Sequence, residues 1–198
     1  MLDINDRRGF LVLSTLFEGS LVLVAAAVAL LFPLGPRAEL PPVLTGSGLA
    51  VQAVWGLVAT VPLYGLFLIS ATVNWGPFRR IRELLLDMLG PVLARSRWHE
   101  LLFVACLAGF CEEVLFRGVL QPRLGLVGSN VAFGLAHSIT PLYVLLAGVM
   151  GMYLGAVSEL SGILAAIVAH SAYDFLAFRA VARLHAARHG RPSGESVA

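Results

Sequence analysis

Two long stretches of this chain, residues 40–78 and 124–158, carry no formal charge. A soluble domain has about a quarter of its residues charged; here the fraction is 13%, against 58% hydrophobic. Apolar runs of this length satisfy their backbone groups as helices in a bilayer. The expected fold is all-α, a polytopic membrane helix bundle of about six transmembrane helices plus one interfacial amphipathic helix. At 198 residues the chain forms a single bundle. The net charge of +2 gives no reason to expect a nucleic-acid partner; the lipid bilayer is the partner that the composition requires.

Six apolar spans can be laid along the chain. The first covers about 9–32 and contains Glu18. It follows Arg7-Arg8, but it is long enough to cross and is read as a membrane span, not a cleaved export signal. Glu18 is read either as a proton-carrying or site-lining acid, or as a carboxyl that stays protonated or reaches water near the interface. No sequence-linked partner is evident, which favours the second reading. A Pro/Gly-rich loop, 33–48, leads to a second span at 49–72 with Pro62 inside it.

Residues 78–97 place Phe78, Ile81, Leu84, Leu85, Met88 and Leu89 at helical spacing, with Arg79, Arg80, Arg82, Glu83 and Asp87 opposite. That pattern predicts a helix lying in the membrane interface, broken near Gly90-Pro91.

The third span, 98–121, ends at Pro122 and Gly125. The thirty-five residues 124–158 are tight for two spans of ~20 each. Pro141 divides them into a short or tilted fourth span, 126–140, and a fifth, 142–158, whose Gly148, Gly151 and Gly155 permit close helix packing. The sixth span is 162–182.

Domain organisation follows: two N-terminal spans and an interfacial helix over 1–97, a four-helix membrane core over 98–182, and a disordered cytoplasmic tail over 183–198. Arginines cluster at 7–8, 79–97 and 179–191. Six spans put all three clusters on one side. The positive-inside rule makes that side cytoplasmic, with both termini inside a multi-pass inner-membrane protein. Cys106 and Cys111 match neither a disulfide framework nor a zinc motif.

The third span carries Glu112, Glu113 and Arg117 inside an otherwise apolar helix. One charge near the bilayer centre costs ~2.5–3.5 kcal/mol on insertion scales, so such a cluster marks a functional site and needs partners. Phe133 and His137 on the fourth span, and His170 and Asp174 on the sixth, each share a helix face at i, i+4. The three spans are expected to turn these groups toward one polar site in the bundle. Glu113 and Arg117, also i, i+4, are positioned as an ion pair. Glu112 projects about 100° away and is left as the free carboxylate, available as a general base.

The ordered set Glu112-Glu113-x-x-x-Arg117, Phe133-x-x-x-His137 and His170-x-x-x-Asp174 resembles the CAAX-processing type II proteases and bacteriocin-processing or immunity proteins, which are intramembrane endopeptidases. The resemblance covers about 98–182. It implies that Glu112 activates water with His137, that His170 and Asp174 stabilise the oxyanion, and that Glu113, Arg117 and Phe133 support the site. It implies a membrane-associated protein or peptide as substrate: a prenylated protein, a peptide leader or an anchored C-terminal tail.

The best-known members carry Asn where this chain has Asp174. An ionised carboxylate cannot donate to an oxyanion, so Asp174 is protonated, or orients His170 through its other ring nitrogen, or ligates a metal. No cofactor is expected. Zinc is the alternative, held by Glu112, His137 and His170; the local His-Glu-x-x-His motif is absent. Two other classes use the same residues, a proton-coupled membrane carrier and a catalytically silent membrane scaffold.

Overall fold

The computed structural model describes residues 6–33 and 48–189. Along these the chain forms α1 (Arg7–Leu31), α2 (Gly48–Thr72), α3 (Gly76–Met88), α4 (Gly90–Arg95), α5 (Trp98–Glu113), a π-helical segment (Val114–Leu120), α6 (Gln121–Ala136), α7 (Pro141–Ser161) and α8 (Ile163–His189), with no strand among the described residues.

Local chemistry sets several of these boundaries. The Asp6 carboxylate accepts from the backbone N–H groups of Arg8 and Gly9 and caps α1. The Thr140 hydroxyl does the same for Tyr143 at the start of α7, where Pro141 occupies the first turn. Gly162, at φ 96°, separates α7 from α8, and Gly125, at φ 71°, interrupts α6; both backbones lie in the region that glycine tolerates best. Pro62 is accommodated within a continuous α2.

Helices α1, α2, α7 and α8 are long and apolar enough to cross a membrane. Large side chains such as Leu23, Leu30 and Val61 stand exposed on α1 and α2, as lipid-facing residues would. The amphipathic stretch forms α3 and α4 with its break at Leu89, next to the expected Gly90-Pro91.

Two expectations are corrected. Pro122 does not end the third helix. It occupies the first turn of α6, and the break falls at Gly125. The helix beyond Gly125 stops at Ala136, a length of about 16 Å at 1.5 Å per residue, against a hydrocarbon core of ~30 Å. The expected fourth span therefore reaches only partway through the bundle. The expected tail is also shorter, since α8 continues through Arg183 to His189; residues 190–198 and most of the loop at 33–48 lie outside the described residues.

One end of the bundle joins Arg7 to Glu100 at 3.2 Å and Arg188 to Asp87 at 3.2 Å, which ties α1 to α5 and α3 to α8 there. At the other end Arg123 Nε donates to the Phe32 carbonyl at 2.7 Å, and Gln121 Nε2 to Glu159 at 2.8 Å. α8 is the central helix and packs on α2, α4, α5 and α7. Its Ala165, Ala166 and Ala169 are fully buried, and Gly56 of α2 lies so close that a Cβ there would meet the Ala165 carbonyl. The glycines of α7 serve packing as expected: Gly151 and Gly155 lie against Asn130 and Leu126 of α6.

Candidate active site

The acidic motif sits where α5 passes into the π-helical segment. Such segments recur at functional sites. Glu113 and Arg117 are both fully enclosed, and Arg117 Nε lies 3.0 Å from Glu113 Oε2, the expected i, i+4 pair. The guanidinium then reaches away from α5. Its Nη2 donates to the Gly151 carbonyl at 2.8 Å and to Asn130 Oδ1 at 3.3 Å. Its carbon stands 4.7 Å from the centre of the Phe133 ring, a cation–π contact. Asn130 is itself held by donating from Nδ2 to the Leu126 carbonyl. One buried cation thus ties α5, α6 and α7.

Glu113 has a second partner. Its Oε1 lies 2.8 Å from Nδ1 of His170 on α8. A carboxylate already paired with arginine accepts, so this ring nitrogen carries the proton. The other nitrogen, Nε2, faces Asp174 Oδ2 at 3.5 Å and Glu112 Oε2 at 4.0 Å. Of the three roles open to Asp174, orienting His170 through the opposite nitrogen falls instead to Glu113; Asp174 shares the reactive edge of the ring with Glu112.

His137 follows the last turn of the short helix of α6. Its Nδ1 lies 2.9 Å from the Phe133 carbonyl. A carbonyl only accepts, so Nδ1 is the donor and Nε2 keeps its lone pair. That lone pair faces Glu112 Oε2 at 3.7 Å. Phe133 stacks on His137 with ring centres 4.5 Å apart and meets His170 edge-on at 6.1 Å. Glu112 is buried, yet its Oε2 has no hydrogen-bond partner among the described residues. Because α6 stops partway, His137 arrives at the depth of Glu112, which a full-length span would have carried it past.

All seven residues singled out in the sequence therefore converge. The sequence missed Asn130, although Asn130, Phe133 and His137 fall at i, i+3, i+7 on one helix face. It also missed that Glu113 serves two helices, since contact between residues so far apart in sequence leaves no local signal. A cavity of about 360 Å³ opens beside the cluster. Glu112, His137, His170 and Asp174 line it together with Glu18 of α1, Tyr143 of α7 and apolar side chains of α2, α3 and α8. Glu18 faces this cavity.

Among the described residues no three His, Cys, Asp or Glu side chains converge closely enough to hold a metal ion.

No curated protein and no solved structure matches the chain. Residues 94–176 do match a protein family, the one described as Type II CAAX prenyl endopeptidase Rce1-like. The match leaves out α1 to α3, most of α4 and the end of α8 but contains Glu112, Glu113, Arg117, Phe133, His137, His170 and Asp174. Over these residues, and in the ordered motifs that its site brings together, the chain is similar to the CAAX-type intramembrane proteases.

Proposed function

We propose that this protein hydrolyses a peptide bond of a membrane-associated protein or peptide, with Glu112 as the general base and without a metal. The observation that carries the reading is the unpartnered Glu112 Oε2 facing two imidazole nitrogens, His137 Nε2 at 3.7 Å and His170 Nε2 at 4.0 Å. The shorter separation is too long for a direct hydrogen bond and admits one water oxygen in contact with both groups. Glu112 Oε2 and His137 Nε2 are both acceptors. A water there donates one hydrogen to each and turns a lone pair outward.

Attack on the scissile carbonyl transfers that water's proton to Glu112 and builds negative charge on the carbonyl oxygen. His170, protonated on both nitrogens, donates through Nε2 to this oxyanion while Glu113 holds Nδ1. Asp174 keeps the imidazolium aligned from the same edge. Collapse of the tetrahedral intermediate breaks the C–N bond, and Glu112 returns its proton to the leaving nitrogen. Phe133 fixes the plane of His137. Arg117 fixes Glu113.

The arginine-rich end faces the cytoplasm of the inner membrane with both termini. Substrates enter the cavity from the bilayer.

The test compares protein termini in membranes from cells carrying the native chain and cells carrying Glu112→Gln at matched abundance. Specific termini that disappear in the variant identify the substrates. An unchanged set of termini, with the variant present at native level, overturns the proteolytic reading. Addition of a chelator to purified protein is expected to leave cleavage unchanged; loss that zinc restores would overturn the metal-free mechanism.

A further inference from the structure

Glu18 lies outside the segment that matches the protease family, and none of the hydrolytic steps above uses it. It is only 8% exposed, and its Oε2 has no hydrogen-bond partner among the described residues. Its depth in the bundle is set by its helix. Phe10 of α1 packs with Leu93 and Val104, and Ala25 with Leu115 and Phe116. Glu18, midway between them, is level with Glu112. It lines the same cavity as Glu112, His170 and Asp174, and these are its charged neighbours. Ser14, one turn earlier, lines that cavity too.

A buried carboxylate without a partner is unfavourable and takes up a proton instead; a cation brought beside it would favour the charged form. Among the described residues no fixed cation meets Glu18. Arg117 is committed to Glu113, Asn130 and Gly151. Arg82, which also lines the cavity, is bonded to the Ala71 carbonyl at the end of α2. Three carboxylates thus stand at the level of the reaction, with His170 as their cationic counterpart. The missing charge is one that a substrate can bring.

We propose that Glu18 binds a cationic group of the substrate, an ammonium or guanidinium next to the scissile bond, and so makes this protease selective for basic peptides. The proposal rests on the proteolytic reading and adds its substrate class.

The test uses the purified full-length chain in nanodiscs, carrying Glu112→Gln so that bound peptide is not cut. Three dye-labelled probes are titrated by fluorescence anisotropy: N-acetyl-Leu-Lys-Leu amide, its norleucine counterpart, and the norleucine peptide with a free α-amino group. At least one cationic probe should bind ten times more tightly than the blocked norleucine probe, and which of the two does so separates a basic side chain from a free N-terminus. Adding Glu18→Gln should reduce that gap below twofold with the norleucine probe unaffected. Glu18→Asp, which keeps the charge, should retain at least a threefold gap.

Equal affinity for all three probes overturns the proposal. So does a gap that survives Glu18→Gln, or one that Glu18→Asp abolishes in protein that unfolds at the native temperature. The two readings fail separately: unchanged termini in Glu112→Gln cells remove the protease, whereas an absent affinity gap removes only the role of Glu18.

Discussion

Glu112 and Glu113 are neighbours in sequence on one helix, yet they live in different chemistry. Glu113 is fully enclosed, with an arginine on one oxygen and a histidine on the other. Glu112, about 100° around the helix, meets a cavity and leaves Oε2 without a partner. The first has every feature of a carboxylate that holds helices together. The second is held in reserve for something that is not part of the chain. Burial alone does not separate the two, because both are buried. What separates them is the distance to charged partners: 3.0 Å and 2.8 Å from Glu113 to Arg117 and His170, against 3.7 Å and 4.0 Å from Glu112 to His137 and His170.

The largest expected effect comes from breaking the satisfied side. Arg117→Ala leaves Glu113 charged and unpaired in a dry interior and removes the donor to Gly151 and Asn130. Loss of one partner of a buried pair costs about 3–5 kcal/mol. Thermal unfolding in detergent should shift down by many degrees, and cleavage should vanish with it. Unchanged unfolding would mean that the Glu113–Arg117 pair holds nothing together.

On the open side, Glu112→Gln is expected to separate function from fold. The amide loses no hydrogen bond within the protein, so the unfolding temperature should stay at or above native. Cleavage should fall by roughly 10²–10⁴-fold, the range for removal of a general base. Glu113→Gln supplies the contrast, with both stability and activity falling. If the two variants behaved alike, the distinction drawn here between the two carboxylates would be wrong.

A smaller effect tests the scaffold around Arg117. A Cβ on Gly151 would lie about 2.5 Å from Asn130 Oδ1, so Gly151→Ala should push Asn130 off the guanidinium. Overpacking of this kind costs about 1–3 kcal/mol, measurable as a lowered unfolding temperature with residual cleavage.

How much of this was legible before any coordinates follows the range of each interaction. The Glu113–Arg117 pair was readable because i, i+4 spacing fixes it locally. The interfacial helix was readable because its apolar face repeats at helical period and Gly90-Pro91 interrupts it. The bond from Glu113 to His170 joins residues on α5 and α8, and only the packing of those two helices creates it. The π-helical turn after Glu113 has no composition that announces it. The short helix before His137 was half visible: the charge-free stretch at 124–158 is too brief for two spans, but the positive φ at Gly125 and the helix end at Ala136 have no signature in the composition. The surroundings of Glu18 were unreadable for the same reason, since its neighbours across the cavity come from α5 and α8.

The mildest prediction concerns Asp174, the last residue of the His170-x-x-x-Asp174 motif. Its Oδ2 lies 3.5 Å from His170 Nε2, beside Glu112 Oε2 at 4.0 Å from the same nitrogen. If the carboxylate helps to hold His170 as a two-proton donor, Asp174→Asn weakens that hold, while the new amide supplies a hydrogen-bond donor of its own to the oxyanion. The two changes oppose one another. Cleavage should therefore stay within about tenfold of native, a difference of about 1.4 kcal/mol in the barrier, whereas Asp174→Leu, which supplies neither charge nor donor, should lower it by a further tenfold or more. Rates measured on a substrate found by terminus mapping decide the matter. An Asp174→Asn loss as deep as that of Glu112→Gln would move Asp174 from alignment of His170 to the reacting centre itself, and would make the open side of the site a pair of working carboxylates in place of one.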